Sequence, residues 1–92
     1  MWIKTRNGTL FNTNTAFAIW ITEHVGTYTS YSHTIDGYDV KLVLNDNAFV
    51  LDHYETPQAA QNAIDLIGEA LRENRSLFDM REIPKEGITQ CG

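Results

Sequence analysis

The amino-acid sequence predicts an α+β fold: an antiparallel meander sheet of about five to six strands with one C-terminal amphipathic helix packed on one face. Two hairpin dipeptides, Asn7-Gly8 and Asp36-Gly37, and a proline-led apolar stripe after Thr56 carry this prediction. The chain has 92 residues, which suits a single hydrophobic core. We therefore expect one domain over residues 1–84 and a flexible C-terminal tail over residues 85–92.

The strands are predicted from turn signals that separate runs of β-branched and aromatic residues. Asn-Gly and Asp-Gly adopt the positive φ angles of two-residue turns at little cost, so each is expected to join two adjacent antiparallel strands. A turn at Val25-Gly26-Thr27 is expected between strands over residues 15–24 and 28–35, and a turn at Asp46-Asn47 leads into residues 48–54.

These turns define a strand register that collects apolar residues on one face of the sheet. The register places Ile21 opposite Tyr31 on that face. On the other face it places Lys41 opposite Asp52, a favourable charge pair for a side that contacts water. Only one face is therefore expected to need a cover.

The cover is predicted to be a helix that begins with Thr56 as N-cap and Pro57 at its first position. It is expected to end near Asn74, which tolerates the left-handed conformation of a helix end. Gly68 is expected to mark a close approach to the sheet. The stripe that packs on the sheet consists of Ala60, Ala63, Ile64, Ile67 and Leu71.

The segment that follows the helix is too apolar for a plain tail. Leu77, Phe78, Met80 and Ile83 are expected to dock as an edge strand or against the end of the helix.

The charge balance restricts the class of partner. Twelve acidic against seven basic residues give a formal net charge of −5, which repels nucleic-acid phosphates and favours a basic protein surface as partner. We expect no direct nucleic-acid binding. The only cysteine, Cys91, excludes an internal disulfide and favours a cytoplasmic location. The N-terminal residues lack the apolar core of a secretory signal, and no apolar run is long enough for a membrane helix.

The sequence shows no motif for catalysis, metal binding or cofactor binding, so we expect a protein that is not an enzyme. The predicted register puts His33 and His53 on one face, flanking Val40, about 9–10 Å apart by strand spacing and too far to share a zinc ion. His24 is expected at a loop on another edge. Cys91 lies too near the terminus to have a fixed base beside it.

Two features remain as candidates for partner binding. Asp65, Glu69 and Glu73 recur every four residues, so their carboxylates form a row with steps of about 6 Å that resembles a line of phosphates. The alternative is an ordinary solvated helix face. Trp20 and Tyr28 are candidate aromatic anchors of the same interface, or else they pack on the back of the sheet or in a homodimer.

The run MWIKTRNGTLFN at residues 1–12, with Tyr54-Glu55-Thr56 leading into Ala59-Ala60, resembles a group of short uncharacterised proteins of Gram-positive bacteria, their phages and mobile elements. The resemblance covers the first hairpin and the junction between the last strand and the helix. It brings no catalytic residues with it.

That resemblance implies a phage or mobile-element inhibitor of host defence, of the anti-CRISPR type, that acts by binding. We therefore expect an acidic module that blocks a nucleic-acid-handling protein, such as an RNA-guided nuclease, by steric hindrance or nucleic-acid mimicry. A self-associating structural or accessory protein without catalytic activity is the alternative.

Overall fold

The computed structural model describes residues 1–14, 17–28 and 33–84, and within them six strands form two sheets of three strands each. The order of the first sheet is β2-β1-β6 and that of the second is β3-β4-β5. The elements are β1 (Trp2–Lys4), β2 (Leu10–Asn12), β3 (Phe17–Tyr28), β4 (His33–Leu44), β5 (Asn47–Tyr54), helix α1 (Pro57–Arg72), β6 (Leu77–Asp79) and a 3₁₀ turn (Met80–Glu82).

The α+β class and the largely antiparallel pairing are confirmed, but the single meander of five to six strands is wrong. The strands divide into two sheets because β1 pairs with β2 on one side and with β6 on the other. The helix is also not the C-terminal element, since β6 follows it and pairs with β1 in parallel. The docking of the segment after the helix as an edge strand is confirmed.

The Asn7-Gly8 hairpin joins β1 and β2 as predicted, although its loop is longer than two residues. The Gly8 N–H donates to the Thr5 carbonyl over 3.0 Å, and the Thr5 N–H donates to the Thr9 carbonyl over 2.8 Å. Gly8 has a φ of 94°, so the loop is a three-residue turn that closes on a glycine.

The predicted turns at Asp36-Gly37 and at Val25-Gly26-Thr27 are wrong, because β3 and β4 run straight through both positions. His24 pairs with Gly37 and Val25 with Ile35, which leaves Asp36 as an extra, bulged residue on β4. Gly26 is the matching extra residue on β3. The connection between the two strands falls at residues 29–32, outside the described residues.

The observed register differs from the predicted one for the same reason. Ile21 lies opposite Val40 instead of Tyr31, which is outside the described residues. Lys41 lies opposite Val50 instead of Asp52. The turn between β4 and β5 uses Asn45 and Asp46, with φ angles of 51° and 68°, one residue earlier than expected.

The helix has the predicted start and end. The Thr56 side chain accepts a hydrogen bond from the Ala59 N–H, and Pro57 occupies the first turn. Asn74 has a φ of 58°, and the Arg75 N–H closes the helix end on the Ala70 carbonyl. The side chains that α1 buries against β3, β4 and β5 are Ala59, Ala60, Ala63, Ile67 and Ala70.

Three members of the predicted stripe are thus confirmed, and the small alanines allow the helix to lie close to the sheet. Ile64 is only partly buried, and Leu71 is 37% exposed, so its assignment to the stripe is wrong. The close approach expected at Gly68 is also wrong, because nothing lies within 4 Å of the position that its Cβ would take.

One core joins the two sheets and the helix. Ile3 on β1, Leu42 on β4, Ile67 on α1 and Phe78 on β6 are each at most 2% exposed and belong to the same cluster. The sheets also meet where the ring of Phe11 packs on Phe49, with centroids 5.0 Å apart.

A polar clamp fastens the first hairpin to the rest of the molecule. Arg6 Nε donates to Asp52 Oδ2 over 2.6 Å, and Arg6 Nη2 donates to the Ile83 carbonyl over 2.6 Å. Tyr54 Oη donates to the same Asp52 oxygen. Burial alone would lower the pKa of Arg6, but the hydrogen bond and the charge of Asp52 raise it. Burial and the Asp52 charge raise the pKa of Tyr54.

We expect Gly68→Ala to raise the free energy of unfolding by about 0.5–1 kcal/mol, because alanine restricts the unfolded chain and the added methyl group meets nothing. Urea unfolding followed by circular dichroism measures the change. Gly26→Ala is the control: its Cβ would lie 2.6 Å from Asp36 Oδ2, so this variant should lose stability. A loss of stability in Gly68→Ala would contradict the open helix face.

We expect Arg6→Met to lower the free energy of unfolding by about 2 kcal/mol, since it withdraws a guanidinium from a carboxylate whose side chain is 8% exposed. The figure lies below that of a fully buried pair because Arg6 is 30% exposed. Thermal unfolding measures the loss, and Arg72→Met, which breaks an exposed pair with Glu69, should change stability by less than about 0.5 kcal/mol.

Candidate functional site

The three predicted acidic residues line one wall of a groove between α1 and the C-terminal segment. Asp65, Glu69 and Glu73 are exposed, and the other wall carries Phe78 and Glu82. The three carboxylates therefore do not lie on a flat helix surface. They face the carboxylate of Glu82 across the apolar residues that line the groove.

Two arginines partly offset the charge of this acidic groove. Arg72 Nη2 lies 2.6 Å from Glu69 Oε1, and Arg75 donates to both Glu82 oxygens over 2.9 and 2.7 Å. The bond and the charge of Arg75 hold the pKa of Glu82 below its ordinary value. Asp65 accepts a hydrogen bond from Gln61. Four carboxylates against two guanidinium groups leave the groove net negative.

The predicted aromatic anchor on β3 lies on a different surface. Trp20 is 43% exposed, and its strand neighbours Ile19 and Ile21 pack towards the core, so Trp20 points away from the helix. The backbone of Tyr28 pairs with that of His33 at the far end of β3, and its side chain lies outside what the structure describes. The structure does not bring Trp20 together with the acidic row.

A second candidate site lies on the same sheet face as Trp20, and it brings together residues that the predicted register had separated. His24 on β3 and His53 on β5 flank Asp39 on the central strand. His24 Nδ1 lies 3.0 Å from Asp39 Oδ2, and His53 Nδ1 lies 2.8 Å from Asp39 Oδ1. The two imidazole rings pack edge to face with centroids 5.1 Å apart.

This cluster corrects the sequence-based placement of the histidines. His33 and Val40 occupy the same strand, so they cannot face each other across the sheet. His24 lies within β3 rather than at a loop on another edge, and His53 is the direct cross-strand partner of Asp39. The true pairing puts two imidazoles on one carboxylate.

Two bulge-region glycines make room for the cluster. A Cβ on Gly37 would come within 2.3 Å of His53 Cε1 and 2.7 Å of the Tyr54 carbonyl oxygen. A Cβ on Gly26 would come within 2.6 Å of Asp36 Oδ2, whose partner oxygen Oδ1 lies 3.8 Å from His24 Nε2. Side chains larger than hydrogen at these positions would push the His53 ring and the Asp36 carboxylate away.

The electrostatics of the cluster centre on one buried carboxylate. Asp39 is 8% exposed, and burial alone would raise its pKa, but the hydrogen bonds from His53 and His24 lower it overall. The hydrogen bond with Asp39 raises the pKa of His24. Thr22 lies opposite Asp39 in the register, and its buried hydroxyl oxygen has no hydrogen-bond partner within the described part of the chain.

These three residues have the donor types of a metal site. One ligand atom each from His24, Asp39 and His53 lie within 4.8 Å of one another. The alternative role is structural, in which the carboxylate fixes the two rings and ties three strands together.

Comparisons with family models, curated proteins and solved structures found no match for the chain. The resemblance to proteins of Gram-positive bacteria and their phages therefore stays a prediction. Within the described residues, no helix has both the length and the apolar character that crossing a bilayer requires.

We expect the pKa of His24 to lie above its ordinary value of 6.5 and to fall back towards that value in Asp39→Asn, because the substitution removes the acceptor charge. An NMR pH titration of the imidazole signals, recorded without divalent ions, measures both values. An unchanged His24 titration in the variant would contradict the contact.

The same pair sets the pH range of its stabilising effect. The His24 contribution is present below about pH 6.5 and is lost as pH rises through the raised pKa. The Asp39 contribution is present above its ordinary pKa of 3.8 and is lost as pH falls through the lowered one. The stability difference between wild type and Asp39→Asn should therefore be larger at pH 5 than at pH 8.

Proposed function

We propose that this chain is an acidic protein-binding module whose acidic groove docks on the basic surface of a nucleic-acid-binding protein. The observation that carries the proposal is the row Asp65, Glu69 and Glu73 along one wall of the groove, with Glu82 on the other. A basic surface that normally holds phosphates would meet carboxylates at a similar spacing. Such contact blocks the surface without any chemistry.

The shape of the groove supports docking over a diffuse charge effect. Leu66 is partly buried and lines the groove with the carboxylates, so the stem of a partner's arginine or lysine could lie on its apolar atoms while the head pairs with acids. Phe78, which is 2% exposed, is already covered within the chain. Arg75 stacks over Phe78 with its guanidinium carbon 5.4 Å from the ring centroid, an example of this arrangement within the chain.

The narrower form of the proposal is an inhibitor of host defence, encoded by a phage or mobile element, that blocks an RNA-guided nuclease in the cytoplasm. It rests on the sequence resemblance, the net charge of −5 and the single cysteine. Steric block and nucleic-acid mimicry both use the same groove, and neither requires catalysis.

A second candidate function is self-association through the sheet face that carries Trp20. Val50 on the same face is 51% exposed, and Trp20 is 43% exposed, which leaves apolar surface without a cover in the described chain. A homodimer would bury both residues. Sedimentation velocity of wild type and of Trp20→Asp tests whether the chain self-associates. A dimer formed through this face should dissociate in the variant.

We expect the double reversal Asp65→Lys/Glu73→Lys to lower partner binding at least about tenfold, because it changes the sign of the groove at both ends of the row. The measurement uses a purified RNA-guided nuclease, free of nucleic acid, titrated onto the immobilised protein at two salt concentrations. Binding should weaken as salt rises and should be displaced by the nuclease's guide RNA.

The matched control is Glu23→Lys/Glu55→Lys, which reverses two exposed carboxylates away from the groove. Each reversal adds two charges, so both double variants change the net charge from −5 to −1. If both double variants lose the same amount of binding, the effect comes from overall charge and the groove proposal is wrong. If the wild-type protein does not bind the nuclease, the proposal that it inhibits an RNA-guided nuclease is wrong.

A further inference from the structure

We propose that His24, Asp39 and His53 form a binding site for a divalent transition-metal ion of the zinc class. Their ligand atoms lie within 4.8 Å of one another on one face of the β3-β4-β5 sheet. Two imidazoles and one carboxylate match a zinc site with three protein ligands and one open position. The inference is independent of the acidic groove and reverses the sequence-based expectation of no metal.

The ligand atoms must rearrange to admit an ion. Tetrahedral zinc at about 2.0–2.2 Å from each ligand separates the ligand atoms by about 3.3–3.6 Å. The two nitrogen–oxygen distances from the histidines to Asp39 are 3.0 and 2.8 Å and involve different carboxylate oxygens, so these contacts must open by a few tenths of an ångström. The ligand atoms lie within 4.8 Å of one another, so the widest separation must close by up to about 1.5 Å. The side chains of His24 and His53 are 48% and 39% exposed, which leaves their rings room to rotate.

The backbone presents the three ligands on a regular scaffold. Asp39 pairs with His53 across the β4–β5 ladder, and His24 pairs with Gly37, two positions before Asp39 on the same strand. Because Gly37 has no Cβ, the His53 ring can lie against the backbone of β4 and direct Nδ1 at Asp39. Ligands fixed by neighbouring strands lose little freedom when an ion binds.

The charge of the cluster favours a cation. The Asp39 side chain is 11% exposed, and its carboxylate lies between the two imidazoles. A divalent ion in place of the shared protons would neutralise that carboxylate. Asp36 adds a second carboxylate nearby, 53% exposed and 3.8 Å from His24 Nε2, which makes the local potential more favourable for a cation.

The donor set also selects among metals. Imidazole nitrogen suits Zn²⁺, Co²⁺, Ni²⁺ and Cu²⁺, whereas Ca²⁺ and Mg²⁺ require sites built from oxygen ligands. The cluster offers one buried carboxylate and two imidazoles, too few oxygens for either of the latter ions. We therefore expect zinc-class ions to bind and Ca²⁺ and Mg²⁺ not to compete.

The test is equilibrium dialysis of the metal-free full chain against Zn²⁺ at pH 7.5, with metal quantified by atomic absorption. Wild type should retain one ion per chain, and excess Mg²⁺ should not displace it. Asp39→Asn and His53→Ala should each weaken binding at least about tenfold. Asp46→Asn, which removes an exposed carboxylate from the turn between β4 and β5, is the matched control and should bind as wild type does.

A second measurement uses only the wild-type protein, so it does not depend on whether the variants fold. Addition of Zn²⁺ should shift the imidazole NMR signals of His24 and His53 and leave the amide signals of α1 in place, and Co²⁺ should give the visible spectrum of a four-coordinate ion. No retained Zn²⁺ at tens of micromolar free metal would overturn the proposal. So would signal changes confined to the acidic groove, or equal retention by Asp39→Asn, His53→Ala and wild type.

Discussion

The Arg6–Asp52 ion pair is the contact on which the arrangement of the two sheets depends. Arg6 sits in the loop of the first hairpin, Asp52 lies on β5, and the same guanidinium reaches the Ile83 carbonyl beyond the 3₁₀ turn. One side chain thus connects three parts of the chain that are distant in sequence. The apolar core brings these parts together without direction, whereas the hydrogen bonds of the guanidinium are directional and favour the observed placement of the three segments.

In the β3-β4-β5 sheet, residues with the composition of a turn form bulges within strands. Asp36-Gly37 has the composition of a tight turn, yet it forms a bulge within a strand of 12 residues. Gly37 serves by leaving space for the His53 ring, and Gly26 by leaving space for Asp36. A glycine in a strand can therefore mark the approach of a side chain from a neighbouring strand as well as a change of direction.

Local chemistry was enough to predict the helix, from the Thr56 cap to the left-handed Asn74, and to predict the first hairpin. The division into two sheets could not be predicted from the sequence, because it depends on a parallel pairing between segments about 75 residues apart. Nothing in the local sequence of β1 or β6 indicates that the two strands pair. The histidine cluster was missed for a different reason: the misplaced turns shifted the register of β3, β4 and β5 and moved His24 and His53 away from Asp39. A signal was present, since an aspartate between two histidine-bearing strands becomes a candidate once the correct register is considered.

The parallel pairing of β1 with β6 determines how late the molecule can be completed during synthesis. Ile3 gains Phe78 as its strand partner only after residues 77–79 have left the ribosome, whereas β3, β4 and β5 can pair through short connections well before. Closing so long a loop costs chain entropy that the local hairpins do not incur. Until then the β1–β2 hairpin has no partner on its β6 side, and a nascent chain that stalls within α1 would expose that edge to other chains.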